Sequence, residues 1–224
     1  DSTINLSNEI NEKTGVTSFP VIGIHPAEFA RMCESVGIKK ALDVAKAALN
    51  AAGKRIEDKK AVAIGEVGRP HYEVPADILD ASNELMKYAF EIAKDTGCAV
   101  QLHTESAGEA QLREFGTLAK EVGLDPKRVI KHYSPPLINV AEEAGIFPSL
   151  IASEDNIKNA LKEGTRFLME SDYIDDLKRP GAVVGPKSVP RVSQKLLDAG
   201  ILKEDDLIKI HKDNVEEVYG ISLD

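Results

Sequence analysis

Strand-like and helix-like stretches alternate along nearly the whole chain, and this alternation constrains the fold more than any other feature. Six short runs read as strands: 18–25 (SFPVIGIH), 60–67 (KAVAIGEV), 98–103 (CAVQLH), 129–132 (VIKH), 147–152 (FPSLIA) and 166–171 (RFLMES). Most are almost continuously apolar, as expected of strands buried on both faces of a parallel sheet. Helical patterns separate them. Ala41, Leu42, Ala45, Ala48, Leu49 and Ala52 recur at i, i+3, i+4 spacing, with Gly53 placed to end that helix. Pro75 stands at the first position of a helix over 78–94, closed by Gly97, and Ser153 or Asp155 caps a helix ending near Gly164. Repeated βα units with right-handed crossovers predict a parallel sheet with helices outside it. A closed barrel of this type needs eight strands. The chain begins with Asp1 rather than Met. The expectation is therefore an α/β fold, a (β/α)8 TIM-type barrel whose first one or two strands are absent from this chain. It forms a single domain over 1–224, long enough to bury one core.

The chemistry concentrates where the strands end. His25, Glu66, His103, His132 and Asp172 fall at or just beyond the ends of five of these runs. Barrel active sites are assembled from residues at the carboxyl ends of different strands. Imidazoles and carboxylates together suit zinc or a similar divalent ion. The net charge of −9 disfavours tight binding of long nucleic-acid duplexes, which depends on phosphate neutralisation, and fits a small-molecule or short nucleic-acid substrate better. No apolar run approaches the ~20 residues of a membrane span. Cys33 and Cys98 lie far apart without paired spacing, so a reduced, cytoplasmic setting is expected. The oligomeric state is left open.

The motifs also resemble a known family, the TatD-related metal-dependent hydrolases. GIHP at 23–26 looks like the family's GxHP, and AIGEVG at 63–68 like its AIGEIG. VQLHTESAGE at 100–109 is similar to its HxR strand, with Ala99 and Glu105 in place of the family Pro and Arg. KHYS at 131–134 matches the HxF strand, MESDYI at 169–174 is similar to ETDSPY, and NVEEVYG at 214–220 looks like the closing helix. The resemblance runs in family order from His25 to the C-terminus. It implies that Glu66 bridges two metal ions, that His103 and His132 complete the shell of the second, and that Asp172 binds the first and takes the proton from attacking water. His25 would lie behind the ligands or contact phosphate. Two such ions activate water and stabilise a departing phosphate oxygen together.

Two departures qualify that reading. The family's HxH motif, which supplies ligands to the first metal, is absent, so this chain is expected to hold one ion firmly (zinc, or manganese or magnesium) rather than two. Glu105 reverses the charge of the family arginine; Arg69 is the candidate to grip phosphate in its place, with Lys187 and Arg191 further candidates. His71 either lines the pocket or sits in a turn, and His211 is expected to be solvated. Lys131, adjacent to His132 on a strand, should point to the opposite face. The implied activity is a metal-dependent hydrolase using activated water, foremost a phosphodiesterase or deoxyribonuclease. The alternatives are a hydrolase of a small lactone, amide or ester, or a catalytically impaired scaffold.

Overall fold

The computed structural model describes residues 1–174, 178 and 183–223. Six parallel strands form one sheet in sequential order: β1 (Val21–Ile22), β2 (Ala63–Gly68), β3 (Ala99–His103), β4 (Val129–Lys131), β5 (Phe147–Ile151) and β6 (Leu168–Glu170). The intervening helices are α1 (Ser2–Thr14), α2 (Pro26–Val36), α3 (Ile38–Glu57), α4 (Ala76–Thr96), α5 (Glu109–Val122), α6 (Ile138–Ala144) and α7 (Glu154–Ala160). After β6 come α8 (Ser188–Asp198), α9 (Glu204–Ile208), a π turn over Lys209–Asp213, and α10 (Asn214–Tyr219). The curled sheet with helices outside it is the TIM-like α/β fold expected from the alternation, and β1 and β6 are its two edges.

Alternation along the strands sorts the core into layers. Ile64, Val67, Val100, Leu102 and Val129 pack outward against Phe29, Leu49, Met86, Phe90 and Phe115 of the helices. Ala63, Ala99, Ile130, Phe147 and Leu168 point inward and are plugged from below by Val218, with Val215 and Tyr219 packed alongside. This floor fills the interior of the sheet below the strand ends. At those ends the residues become polar.

Local details depart from the sequence reading for identifiable reasons. Gly53 does not end its helix; α3 continues to Glu57. A Cβ at Gly53 would lie 2.8 Å from Ile92 Cγ2, so the glycine serves close packing of α3 on α4. Pro75 is the cap of α4 rather than its first residue, while Gly97 does close it in the left-handed conformation. Ser153, not Asp155, caps α7 by accepting from the Asn156 amide, and that helix stops at Ala160. The first strand run pairs over only two residues. Helix α1 lacked a clear signal: its sequence is mostly polar, and only Ile4 and Ser7 are buried.

Candidate metal centre

Each strand end delivers its residue by a different local device. His25 follows β1 and caps α2, its Nδ1 accepting the Ala27 amide at 3.1 Å, with Pro26 starting the helix. Glu66 lies within β2, and His103 is the last residue of β3. Gly68 makes that pair possible: it holds φ at +136°, and a Cβ there would stand 2.4 Å from the His103 carbonyl oxygen. His132 directly follows β4, and Asp172 lies two residues beyond β6. Asp172 (φ 48°) and the neighbour of His132, Tyr133 (φ 50°), hold the left-handed backbone, the kind of local strain that clusters at functional sites.

These five side chains converge, and Glu66 is the hub. Its Oε2 lies 3.2 Å from His103 Nδ1 and 3.5 Å from His25 Nε2; its Oε1 lies 3.6 Å from His132 Nε2. His132 Nε2 is also 3.7 Å from Asp172 Oδ1. Ligand atoms of His25, Glu66 and His103 all fall within 4.8 Å of one another, as do those of Glu66, His132 and Asp172. The two groups share Glu66, whose two oxygens face opposite ways. The grouping differs from that expected, since it places His103 with His25 and His132 with Asp172.

The hydrogen-bond partners assign roles to the ring nitrogens. His25 Nδ1 accepts a backbone N–H, so its neutral ring carries the proton on Nε2 and offers Glu66 a donor rather than a lone pair. His132 Nδ1 faces Glu170 Oε1 at 3.0 Å, which turns the Nε2 lone pair toward Glu66 and Asp172. His103 Nε2 lies 2.7 Å from His71 Nδ1. Its buried Nδ1, close to Glu66 but misaligned for a hydrogen bond, has no hydrogen-bond partner. A buried ring nitrogen left so costs about 1–3 kcal/mol; a cation would satisfy it. The donor set thus fits a divalent metal: His132 Nε2, Asp172 and one oxygen of Glu66 present unshared lone pairs on one side of that carboxylate, and His103 Nδ1 faces its other oxygen.

Charges respond to this crowding. Burial opposes ionisation of Glu66, but the imidazoles of His103, His132 and His25 outweigh it and hold the carboxyl below its ordinary value. Burial pushes Asp172 up, against the pull of His132. Burial opposes charge on His132, yet Glu170, Glu66 and Asp172 carry its pKa above the ordinary value. His25 and His71 are both lowered, by burial and then by the neighbouring His103.

Several sequence expectations are redirected. The guanidinium of Arg69 is engaged elsewhere: Glu114 takes Nη1 at 2.9 Å, Glu105 takes Nη2 at 2.9 Å, and the group stacks 5.0 Å from the Phe115 ring. Its donors are spent inside the protein, so it is not the free phosphate clamp expected. Lys187 and Arg191 are exposed and are not among the residues lining the site cavity. His211 is partly buried and bonded to Ser193 Oγ at 2.8 Å, not solvated, because the π turn carries it against α8. His71 lines the cavity. Lys131 pairs in register with the outward-facing Leu102, as alternation requires, but its long side chain reaches the same cavity as His132 and donates to the His132 carbonyl. Burial lowers its pKa to about 8. Glu170 escaped the sequence reading; it lies one residue beyond Met169 in MESDYI, and only the fold shows that it faces His132.

The cavity over these residues measures about 290 Å³ and is lined by His71, His103, Thr104, Glu105, Lys131 and Asp172 among others. A larger groove of about 760 Å³ lies between α1 and the start of the sheet, away from this cluster.

Comparison with known proteins agrees with this architecture. The family model for TatD related DNase matches residues 2–220. The chain belongs to the TatD-related family. It is 47% identical over 216 residues to the uncharacterized protein MJ1127 of Methanocaldococcus jannaschii, covering 96% of this chain and 77% of that protein. Among solved structures, the TatD homolog YJJV from Escherichia coli superimposes with a TM-score of 0.69 at 18% identity, over 98% of this chain and 83% of that one. A variant of a PTE-like lactonase from Deinococcus radiodurans gives 0.65 at 15% identity, over 95% and 76%. At these identities the structural matches speak for the fold. Family membership supports a metal-dependent hydrolase. Among the described residues, no helix is long and apolar enough to cross a membrane.

Proposed function

We propose that this TatD-related hydrolase cleaves phosphodiester bonds in small or short nucleic-acid substrates, with Glu66, His103, His132 and Asp172 holding the divalent metal. The observation that carries this reading is the unsatisfied Nδ1 of His103. It faces one oxygen of Glu66, while the other oxygen faces His132 Nε2. A bound divalent ion there supplies a Lewis acid and lowers the pKa of water to about 7. The remaining chemistry belongs to the chain. Glu66 stays ionised against its burial because three imidazoles surround it. Asp172, whose Oδ1 stands 3.7 Å from His132 Nε2, is placed to take a proton from water beside the ligands. His25, held by the Ala27 amide, keeps its Nε2 3.5 Å from Glu66 Oε2 on the flank away from His132. The acidic lining supplied by Glu105 and Asp172 favours a second reading, a neutral lactone or ester substrate.

The test is metal content by elemental analysis, followed by hydrolysis of bis(p-nitrophenyl) phosphate and of a γ-lactone. We expect at least one equivalent of metal, metal-dependent turnover of the phosphodiester, and loss of turnover by at least about a thousandfold in Asp172→Asn, the scale on which removing a catalytic group acts. Turnover of the lactone alone would select the second reading. No metal uptake by wild-type protein would refute both.

A further inference from the structure

Lys131 is the cation that neither the family pattern nor the ligand set employs. Its side chain is 1% exposed, yet it lines the cavity beside His132, His103, Thr104 and Asp172. It makes one hydrogen bond, to the His132 carbonyl oxygen. Among the described residues, no carboxylate lies within 4.0 Å of it, although Glu170, Glu105 and Glu66 surround it at longer range. Arg69 differs in this respect, being saturated by Glu105 and Glu114. A buried ammonium with donors to spare is costly unless an anion meets it. Here the open direction is the cavity.

We propose that Lys131 forms an oxyanion subsite that grips the anionic oxygen of the substrate, a phosphoryl or carboxylate oxygen, next to the candidate metal ligands. This rests on the hydrolase reading above and narrows its substrate class to molecules that carry an anionic group at the reacting end. Lys131 and His132 line the same cavity although they leave the strand on opposite faces, so an oxygen held at the Lys131 ammonium is delivered near the ring of His132. The ammonium is a point donor and can follow either type of oxyanion. A neutral lactone would leave the buried ammonium without an anionic partner.

The experiment is calorimetric titration of inorganic phosphate, and separately of acetate, into metal-free and manganese-loaded protein at pH 7. The variants are Lys131→Met and Lys131→Gln; glutamine keeps a donor for the His132 carbonyl. Wild-type protein is expected to bind phosphate, acetate or both in the metal-free form, and more tightly with manganese. Both variants should weaken that binding about tenfold or more, the loss of one charged hydrogen bond, with manganese affinity unchanged. A variant that folds and binds the probes as wild type does would overturn the subsite, as would wild-type protein that binds neither probe. Should the methionine variant fail to fold, the glutamine variant decides alone. Failure to take up manganese would count against the metal-hydrolase reading, while the metal-free titration still judges Lys131.

Discussion

Substituting Glu170 by glutamine separates a metal-tuning role from a packing role. Glu170 Oε1 lies 3.0 Å from His132 Nδ1 and accepts the Tyr133 amide at 2.7 Å, while Oε2 accepts from Ser149. A carboxylate behind a metal-bound histidine fixes its tautomer and makes the ring a better donor; losing such a partner typically costs 10–100-fold in metal affinity. Glutamine keeps an oxygen for His132 and the Tyr133 amide and conserves shape; the charge is lost, and Ser149 must turn its hydroxyl to accept from the new amide. We expect manganese or zinc affinity to fall about 10–100-fold, about 1.4–2.7 kcal/mol, measured by competition with a chelator of known strength. A second readout comes from the metal-free protein. The folded pKa of His132 is raised by this contact, so the pair's stabilisation is complete below the unfolded value of about 6.5 and is lost as pH rises through the folded value. The melting-temperature deficit of Glu170→Gln should therefore be larger at pH 6 than at pH 9. Affinity within twofold of wild type would refute the reasoning, because charge on Glu170 would then have no bearing on His132.

Two further substitutions probe the opposite ends of the barrel. His71→Ala removes the ring 2.7 Å from His103 Nε2; because this position is exposed and water can substitute, metal affinity should fall only about fivefold with no change in melting temperature, and an unchanged chelator competition would show that His103 needs no such partner. At the floor, Tyr219 bonds to Gln101, and burial pushes its phenol up to about 12. The folded state keeps that proton while the unfolded state gives it up near pH 10, so stability is complete below pH 10 and falls between pH 10 and 12 by about 3 kcal/mol. Tyr219→Phe should be less stable by about 1 kcal/mol at pH 8 but flatter across the alkaline window, as followed by urea denaturation; an identical alkaline slope would mean another group sets it.

What was legible in the sequence follows from which physics is local. Strand runs such as CAVQLH and VIKH announce themselves because burial on both faces demands continuous apolar residues. His103, His132 and Glu66 were legible because a barrel gathers strand ends whatever the loops do. Contacts between distant segments were not. Arg69 is three residues from Glu66 in sequence, yet its guanidinium is claimed by Glu105 and by Glu114 of α5, which only the packing of β2 and β3 against that helix decides. Glu170 and Asp172 are two residues apart, and periodicity cannot tell which meets His132 Nδ1 and which Nε2. Gly53 carried a turn-like signal whose actual cause, the approach of Ile92, lies 39 positions away.

The charge arrangement shows why these contacts belong together. Glu66, Glu170 and Asp172 all lie within 4 Å of His132. Three carboxylates around one ring cannot be neutralised by that ring alone. In the metal-free molecule the balance is struck by protons: His132 is held more basic than usual, and Asp172 is less acidic than usual. Lys131 contributes one charge but stands beyond ion-pair distance of all three. A divalent cation would replace those protons with a charge placed among the lone pairs themselves, and uptake would release protons into solution. The two cationic roles differ. The charge at the carboxylates must be exchangeable, because the site works by holding an ion; the charge at Lys131 is covalently fixed and so remains available to an incoming anion. The carboxylates at the cavity, Glu105 and Asp172, repel an anionic substrate in the absence of a cation. With an ion at Glu66 and an ammonium at Lys131, the wall changes sign where the substrate's oxygens must sit.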